Sequence, residues 1–302
     1  MKYTSRPLHS NQDLLEIGRL LRRASAEDKK LNAWSVCRFD IWAQRRMDDA
    51  ASYGRTEWQK GFRLWHDEDG TLVGAAFAFD NHRTRRNPDP HALILHPTHP
   101  ALAEPMLDWA ESLATPDVEI PESQQFLLDI VQARGYARSS DFMIVREKPL
   151  TGTPQEMIHL PGGYRIEVLE PSDWPAYFDA VFEVFGMMDT ASAFGSIQQA
   201  PSNIRDLHLN VLSESGEIAA FCSVWLDRTN QAAEFEPVGT RPNFQKKGLG
   251  AALLARACNR LRKMNCPLVV VESWSESVGA NKLYEANGLA EVDRFHSWKK
   301  AG

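Results

Sequence analysis

The chain reads as an α/β protein, a mixed sheet flanked by helices, built as two tandem domains of one design. Three observations predict this. Its 302 residues suffice for two domains of ordinary size, about 150 residues each. A stretch bearing proline and glycine, from Pro149 to Pro154 and on to Pro161-Gly162-Gly163, divides the chain near its midpoint without any periodic apolar face. The order of expected elements on one side repeats on the other. The domains are therefore expected at 1–150 and 160–302.

In the second half Tyr164–Leu169 reads as a strand and Asp173–Phe185 as a helix, with Asp173 suited to the positive end of the helix dipole. Strands follow over Asp206–Leu212 and Glu217–Leu226, joined by a turn at Glu214-Ser215-Gly216, and a third over Gln231–Val238. Leu249, Leu253, Leu254, Ala257 and Leu261 make one apolar face of a helix over Leu249–Met264. Leu268–Val271 is a continuous apolar run suited to a strand buried on both faces. A helix over Val278–Ala286 stops at Asn287-Gly288, and Glu291–Trp298 closes the domain as a strand.

The first half repeats this order. Phe62–His66 and Leu72–Phe79 flank a turn at Asp69-Gly70. Leu93–Leu95 precedes His96-Pro97 as Val238–Thr240 precedes Arg241-Pro242. Helices near Pro105–Leu113 and Gln124–Ala133 follow, the second stopping at Arg134-Gly135. Internal duplication accounts for the match.

Composition narrows the function. With 34 basic against 40 acidic residues the chain lacks the surplus of positive charge usual in nucleic-acid binders, and the balance is compatible with a cationic substrate such as an amine. The four cysteines form no CxxC pair and read as buried, reduced thiols. His96 and His99 flank prolines in a loop with no third ligand, so no metal site is expected. The short basic run Arg83-Thr84-Arg85-Arg86 reads as a solvated loop. No apolar run reaches the roughly 18–20 residues of a membrane helix, and the first residues lack the apolar core of a signal peptide; a cytoplasmic protein, monomer or homodimer, is expected.

Chemistry concentrates between Glu234 and Leu254. There a strand runs through a short loop into a helix whose first N–H groups have no intrahelical partner and sit at the positive end of its dipole. Gly248 and Gly250 lack a Cβ, which lets a phosphate approach those groups, and Lys246 and Lys247 add charge at the rim. A P-loop would need a Ser or Thr after its Gly-Lys, and a dinucleotide fingerprint would need Gly where Leu253 stands. On the strand before the loop, Glu234 and Glu236 are two residues apart and share a face, which suggests a polar cleft.

Gln245-Lys246-Lys247-Gly248-Leu249-Gly250 after an Arg-Pro turn resembles the acyl-CoA motif of the GNAT superfamily of N-acyltransferases. Gly279 to Leu289, with Tyr284 four residues before Gly288, is similar to that family's next motif. The resemblance implies two tandem domains, each with a mostly antiparallel sheet that splays at the acyl-CoA site. It implies acetyl-CoA as donor and a small-molecule amine as acceptor. Val238, Gly239 and Thr240 would meet the acetyl carbonyl and pantetheine, and Gln245 through Ala251 (Lys246, Lys247, Gly248, Leu249 and Gly250 between them) would cradle the pyrophosphate. Tyr284 would serve as general acid; a phenol with an ordinary pKa near 10 is protonated at neutral pH. Ser277 stands where many members carry a cofactor-contacting Asn. The base is Glu234 or Glu236, with Glu234 slightly favoured, acting through a water.

In the first half Pro100, Ala103 and Pro105 replace the Gln and the two glycines, and Val131 replaces the Tyr. That copy is expected to be degenerate and without cofactor. The layout resembles tandem members of the family such as mycothiol synthase. The expected activity is N-acetyl transfer by direct attack; the alternatives are a silent acyl-CoA-binding regulatory module and an acetyltransferase of protein or peptide amines.

Overall fold

A computed structural model describes residues 2–28, 34–54, 56–78, 90–113, 116–152, 158–186 and 197–300. The basic run at 83–86, Phe79 at the end of an expected strand, and residues 153–157 of the expected linker lie outside them.

The described elements run β1 (Thr4–Pro7), α1 (Asn11–Asp28), α2 (Val36–Tyr53), β2 (Phe62–His66), β3 (Leu72–Ala78), β4 (His91–Leu95), α3 (Ala103–Glu111), β5 (Val118–Pro121), α4 (Gln125–Ala133) and β6 (Tyr136–Pro149). Then come β7 (Arg165–Val168), α5 (Trp174–Phe185), β8 (Leu209–Leu212), β9 (Ile218–Asp227), β10 (Ala232–Thr240), α6 (Leu249–Lys263), β11 (Leu268–Trp274), α7 (Val278–Ala286) and β12 (Ala290–Lys300). They form two compact units. The first takes residues 1–39, 46–144 and 293–302; the second takes 40–45 and 145–292.

In the first unit the strand order is β1-β2-β3-β4-β5-β12. β1 to β4 pair antiparallel in sequence, β4 and β5 are parallel, and β12 closes on β5 antiparallel, with Phe295 opposite Pro121 and Trp298 opposite Val118. In the second unit the order is β7-β8-β9-β10-β11-β6. β7 to β10 are antiparallel and β10 runs parallel to β11. Each unit thus has an antiparallel run and one parallel pair; the first takes its last strand, β12, from a distant part of the chain, and the second takes the end of β6, from Val145 on.

Packing, more than propensity, holds these helices. Leu14, Ile17, Leu20, Leu21 and Ala24 of α1 are fully buried. In the second unit Leu249, Leu253, Leu254, Ala257 and Leu261 of α6 share a core with Cys222, Val224 and Leu226 of β9 and Phe235 of β10. Burying one such leucine contributes about 1.5–3 kcal/mol, enough to fix the helix on the sheet. The opposite face of β9 carries Phe221 and Ser223, which Tyr177 of α5 covers. With a helix on each face, β9 is buried along its whole length.

Most expected elements are present within a residue or two. The strand expected from Asp206 begins at Leu209, because Arg205–Leu207 turn as a 3-10 helix. The strand expected to end at Val271 runs on to Trp274. No element was expected over residues 11–53, where α1 and α2 lie. All four cysteines are free and buried.

Candidate active site

The site is organised by the end of one strand pairing. β10 and β11 pair in parallel at Ala232–Leu268, Ala233–Val269 and Glu234–Val270. Both strands continue, to Thr240 and Trp274, but their pairing ends there. On its other side β10 stays bound to β9, with a register break between Phe235 and Val238 that bulges the strand around Glu236-Pro237, a cis peptide. The bulged backbone is tied down by Trp225, whose indole N–H donates to the Glu236 carbonyl at 2.5 Å.

The two acids part company here. Glu234 lies in the paired section, between Trp225 and Val270, and is 3% exposed. Glu236 lies where the strands separate and is exposed. Beyond it Val238 and Thr240 are half-buried. Gly239 is required for space: a Cβ there would stand 2.3 Å from Cζ of Phe221, its cross-strand neighbour.

The loop after β10 opens α6. Gly248 is the N-cap residue, at φ +76°, a left-handed conformation costly for residues with a Cβ, and no side chain caps the helix. The N–H groups of Leu249, Gly250 and Ala251 therefore have no partner within the helix. Gly250 allows close approach of α7, since a Cβ would lie 3.1 Å from Cδ2 of Leu283. Gln245 reaches back, Nε2 donating to the Thr240 carbonyl at 3.2 Å. Lys246, at φ +62°, is exposed. Lys247 is drawn aside: its ammonium donates to the Tyr164 hydroxyl at 2.8 Å and lies 5.2 Å from the centre of the Phe244 ring.

Tyr284 sits on α7, 4% exposed. Burial first, then the charges of Glu236 and Cys222, push its hydroxyl above the ordinary phenol value, while Arg146 pulls the other way. The phenol is held protonated at neutral pH, within electrostatic reach of Glu236. Tyr177 of α5 is pushed in the same direction, chiefly by burial, with Glu236 adding to it; its hydroxyl is paired with Ser223 Oγ at 3.1 Å.

A buried polar network anchors α7. Asn281 Nδ2 donates to the carbonyls of Trp274 and Ser275 at 3.0 and 3.2 Å, and its Oδ1 accepts from Ser273 Oγ at 2.8 Å and Arg146 Nη1 at 2.9 Å. Arg146, 1% exposed, also reaches Glu285 at 3.1 Å. Ser277 takes the N-cap position of α7, half-buried, without a side-chain cap bond.

Residues 174–289 match the Acetyltransferase (GNAT) family. The match lies wholly within the second unit. Solved structures resemble the whole chain and not only residues 174–289. A GCN5-related N-acetyltransferase from Sphaerobacter thermophilus is 19% identical, with 99% of this chain and 95% of that one covered at a TM-score of 0.65. A GNAT-family acetyltransferase from Colwellia psychrerythraea is 11% identical, covering 99% and 100% at 0.62. A tandem GNAT protein from the clavulanic acid biosynthesis pathway is 14% identical, covering 98% of each at 0.61. At such identities the likeness concerns the fold, the mixed α/β architecture expected from the sequence. No curated protein sequence matches the chain.

Within the matched residues β10, α6 and α7 place Tyr284 in electrostatic reach of Glu236 and Gly250 beside Leu283, the residue before Tyr284. Sequence reasoning overlooked Tyr177, Trp225 and Asn281, and also Arg146, which precedes the matched residues. Asn281, an Asn in the first turn of α7 three residues before Tyr284, was the one with a readable signal. Among the described residues no cluster of His, Cys, Asp and Glu could hold a metal ion, and no helix is long and apolar enough to cross a membrane.

Proposed function

We propose that the protein is an N-acetyltransferase that moves the acetyl group of acetyl-CoA directly onto a primary amine of a small molecule. The observation that carries this reading is the parting of β10 and β11 beyond Glu234, with an exposed carboxylate at Glu236 and a protonated phenol at Tyr284 in electrostatic reach. Acetyl-CoA supplies the activated carbonyl and a thiol leaving group. The start of α6 fits its pyrophosphate: an uncapped helix end, a glycine N-cap in open space and an exposed lysine. Gln245, Lys246, Gly248, Leu249, Gly250 and Ala251 hold the phosphates, with Lys247 contributing less because it is engaged with Tyr164. Val238, Gly239 and Thr240 offer backbone groups to the acetyl and pantetheine arm, and Ser277 offers a hydroxyl at the start of α7.

Three proton transfers complete the exchange. Glu236 removes a proton from the incoming ammonium, Tyr284 delivers one to the departing sulfur, and the second proton shed by the acylated nitrogen restores the Tyr284 phenol. Glu236 is assigned as the base over Glu234 because Glu234 is enclosed between paired strands. Glu234, on the same face, adds negative charge that favours a cationic acceptor.

The first unit takes no part in this chemistry in our reading. Glu104 stands in the first turn of α3 and pairs with Arg134, so a carboxylate of the protein already occupies the anion-seeking end of that helix. Pro100 and Pro105 remove N–H donors there, and Val131, at the place of Tyr284, is fully buried.

Thermal unfolding with and without acetyl-CoA, followed by thiol release across a panel of primary amines, tests the proposal. Stabilisation together with turnover of at least one amine is the expected result. Stabilisation with no turnover would leave a binding module, and no stabilisation would overturn both readings.

A further inference from the structure

The candidate base is held by its own backbone, and the atom that holds it comes from a residue outside both sequence motifs. Because the β9–β10 register breaks between Phe235 and Val238, the Glu236 carbonyl lies outside the regular ladder. Trp225, 1% exposed on β9, supplies the indole N–H that this carbonyl accepts at 2.5 Å. The indole is itself fixed. His208 packs edge-on against it, ring centres 4.9 Å apart. Burial pushes the His208 pKa down to about 4, so the ring is neutral at working pH and one of its nitrogens can donate. Its Nε2 is 2.7 Å from Asn203 Oδ1, and Asn203 Nδ2 donates to the Gln198 carbonyl at 2.7 Å. The residue following the indole is pinned to the same segment, Leu226 N–H donating to the Ser202 carbonyl at 2.8 Å.

We infer that Trp225 is a positioning residue for Glu236: its indole N–H, backed by His208 and Asn203, fixes the bulged carbonyl and through it the aim of the carboxylate. A tryptophan serving only as core filling needs no acceptor at this spot; the hydrogen bond gives the ring a direction. The inference rests on the reading of Glu236 as base.

The test is a double-mutant cycle on the full chain, read by thiol release from acetyl-CoA with whichever panel amine is acetylated fastest. Trp225→Phe keeps an aromatic ring and removes the N–H, leaving a carbonyl without its donor. We expect kcat to fall by about tenfold, with the Kd for acetyl-CoA unchanged within about twofold. In a Glu236→Gln background the same change should alter kcat by less than about twofold, because Trp225 acts through that carboxylate. Should the two effects multiply, Trp225 is structural and the inference fails while Glu236 stands as base. Should Glu236→Gln alone leave kcat intact, the base assignment fails and the inference with it. If Trp225→Phe does not fold, site-specific replacement by β-(3-benzothienyl)alanine, which has the shape of tryptophan with sulfur for N–H, takes its place with the same expected results.

Discussion

Replacing Gly239 by alanine probes the geometry of the site at its tightest point. The new Cβ would lie 2.3, 2.8 and 3.0 Å from three atoms of the Phe221 ring. To restore a normal carbon–carbon contact of about 3.5 Å, the ring must retreat by about 1 Å. It has little room, since Phe221 is fully buried and flanked by Tyr177 and Phe185 with ring centres at 5.4 and 6.2 Å. Overpacking of this kind costs about 1–3 kcal/mol. For a unit of this size that lowers Tm by roughly 2–12 °C. The strain falls on β10 between the bulge and the α6 loop, so affinity for acetyl-CoA should weaken as well. Differential scanning fluorimetry with and without acetyl-CoA reads both effects, and Phe221→Leu in the Gly239→Ala background should recover part of the loss by making room. A Gly239→Ala protein that melts with the wild type and binds acetyl-CoA equally well would refute the packing reasoning.

Three further expectations follow from particular contacts. Tyr284→Phe should lower kcat by about a hundredfold or more while leaving the Kd for acetyl-CoA unchanged, as measured by single-turnover kinetics and calorimetry. Lys246→Ala should weaken acetyl-CoA binding by about 0.3–1 kcal/mol, a two- to fivefold rise in Kd, whereas Lys247→Ala, whose ammonium is already engaged by Tyr164 and Phe244, should change it less. His208 binds fewer protons folded than unfolded between its folded pKa of about 4 and its ordinary 6.5, so its contribution is present above that window and is lost as pH falls through it. The full loss, complete below pH 4, is about 3 kcal/mol, of which about 2 falls between pH 7 and pH 5; urea titrations at those two pH values should show it shrink in His208→Gln.

Local patterns carried much of the fold. α7 ends where Asn287-Gly288 said it would, because Gly288 takes the left-handed φ of +77° that only glycine adopts cheaply. The apolar spacing of α6 likewise marked its buried face. The alternation Glu234-Phe235-Glu236 set Phe235 apart from the acids, and Phe235 packs beneath α6. The contrast in exposure between the two acids was not legible, since it depends on where the partner strand ceases to pair. Trp225 and Arg146 were not legible either: the Glu236 carbonyl reaches the indole only because β10 bulges, and Asn281 lies 135 residues from Arg146. α1 did have a signal, in Leu14, Ile17, Leu21 and Ala24 at helical spacing. It stands outside the repeated pattern, which begins only at β2.

The return of the chain's last strand to the first unit bears on how the protein is made. β5 receives β12 as its neighbour only after residues 293–300 have been synthesised. At about 5–20 residues per second, roughly 10–35 s separate the emergence of the two strands from the ribosome. Through that interval the N-terminal unit is unfinished, with one edge of β5 open to any passing strand. Birth order and folding order are thus inverted: the unit whose strands are translated first must wait for one made more than 160 residues later.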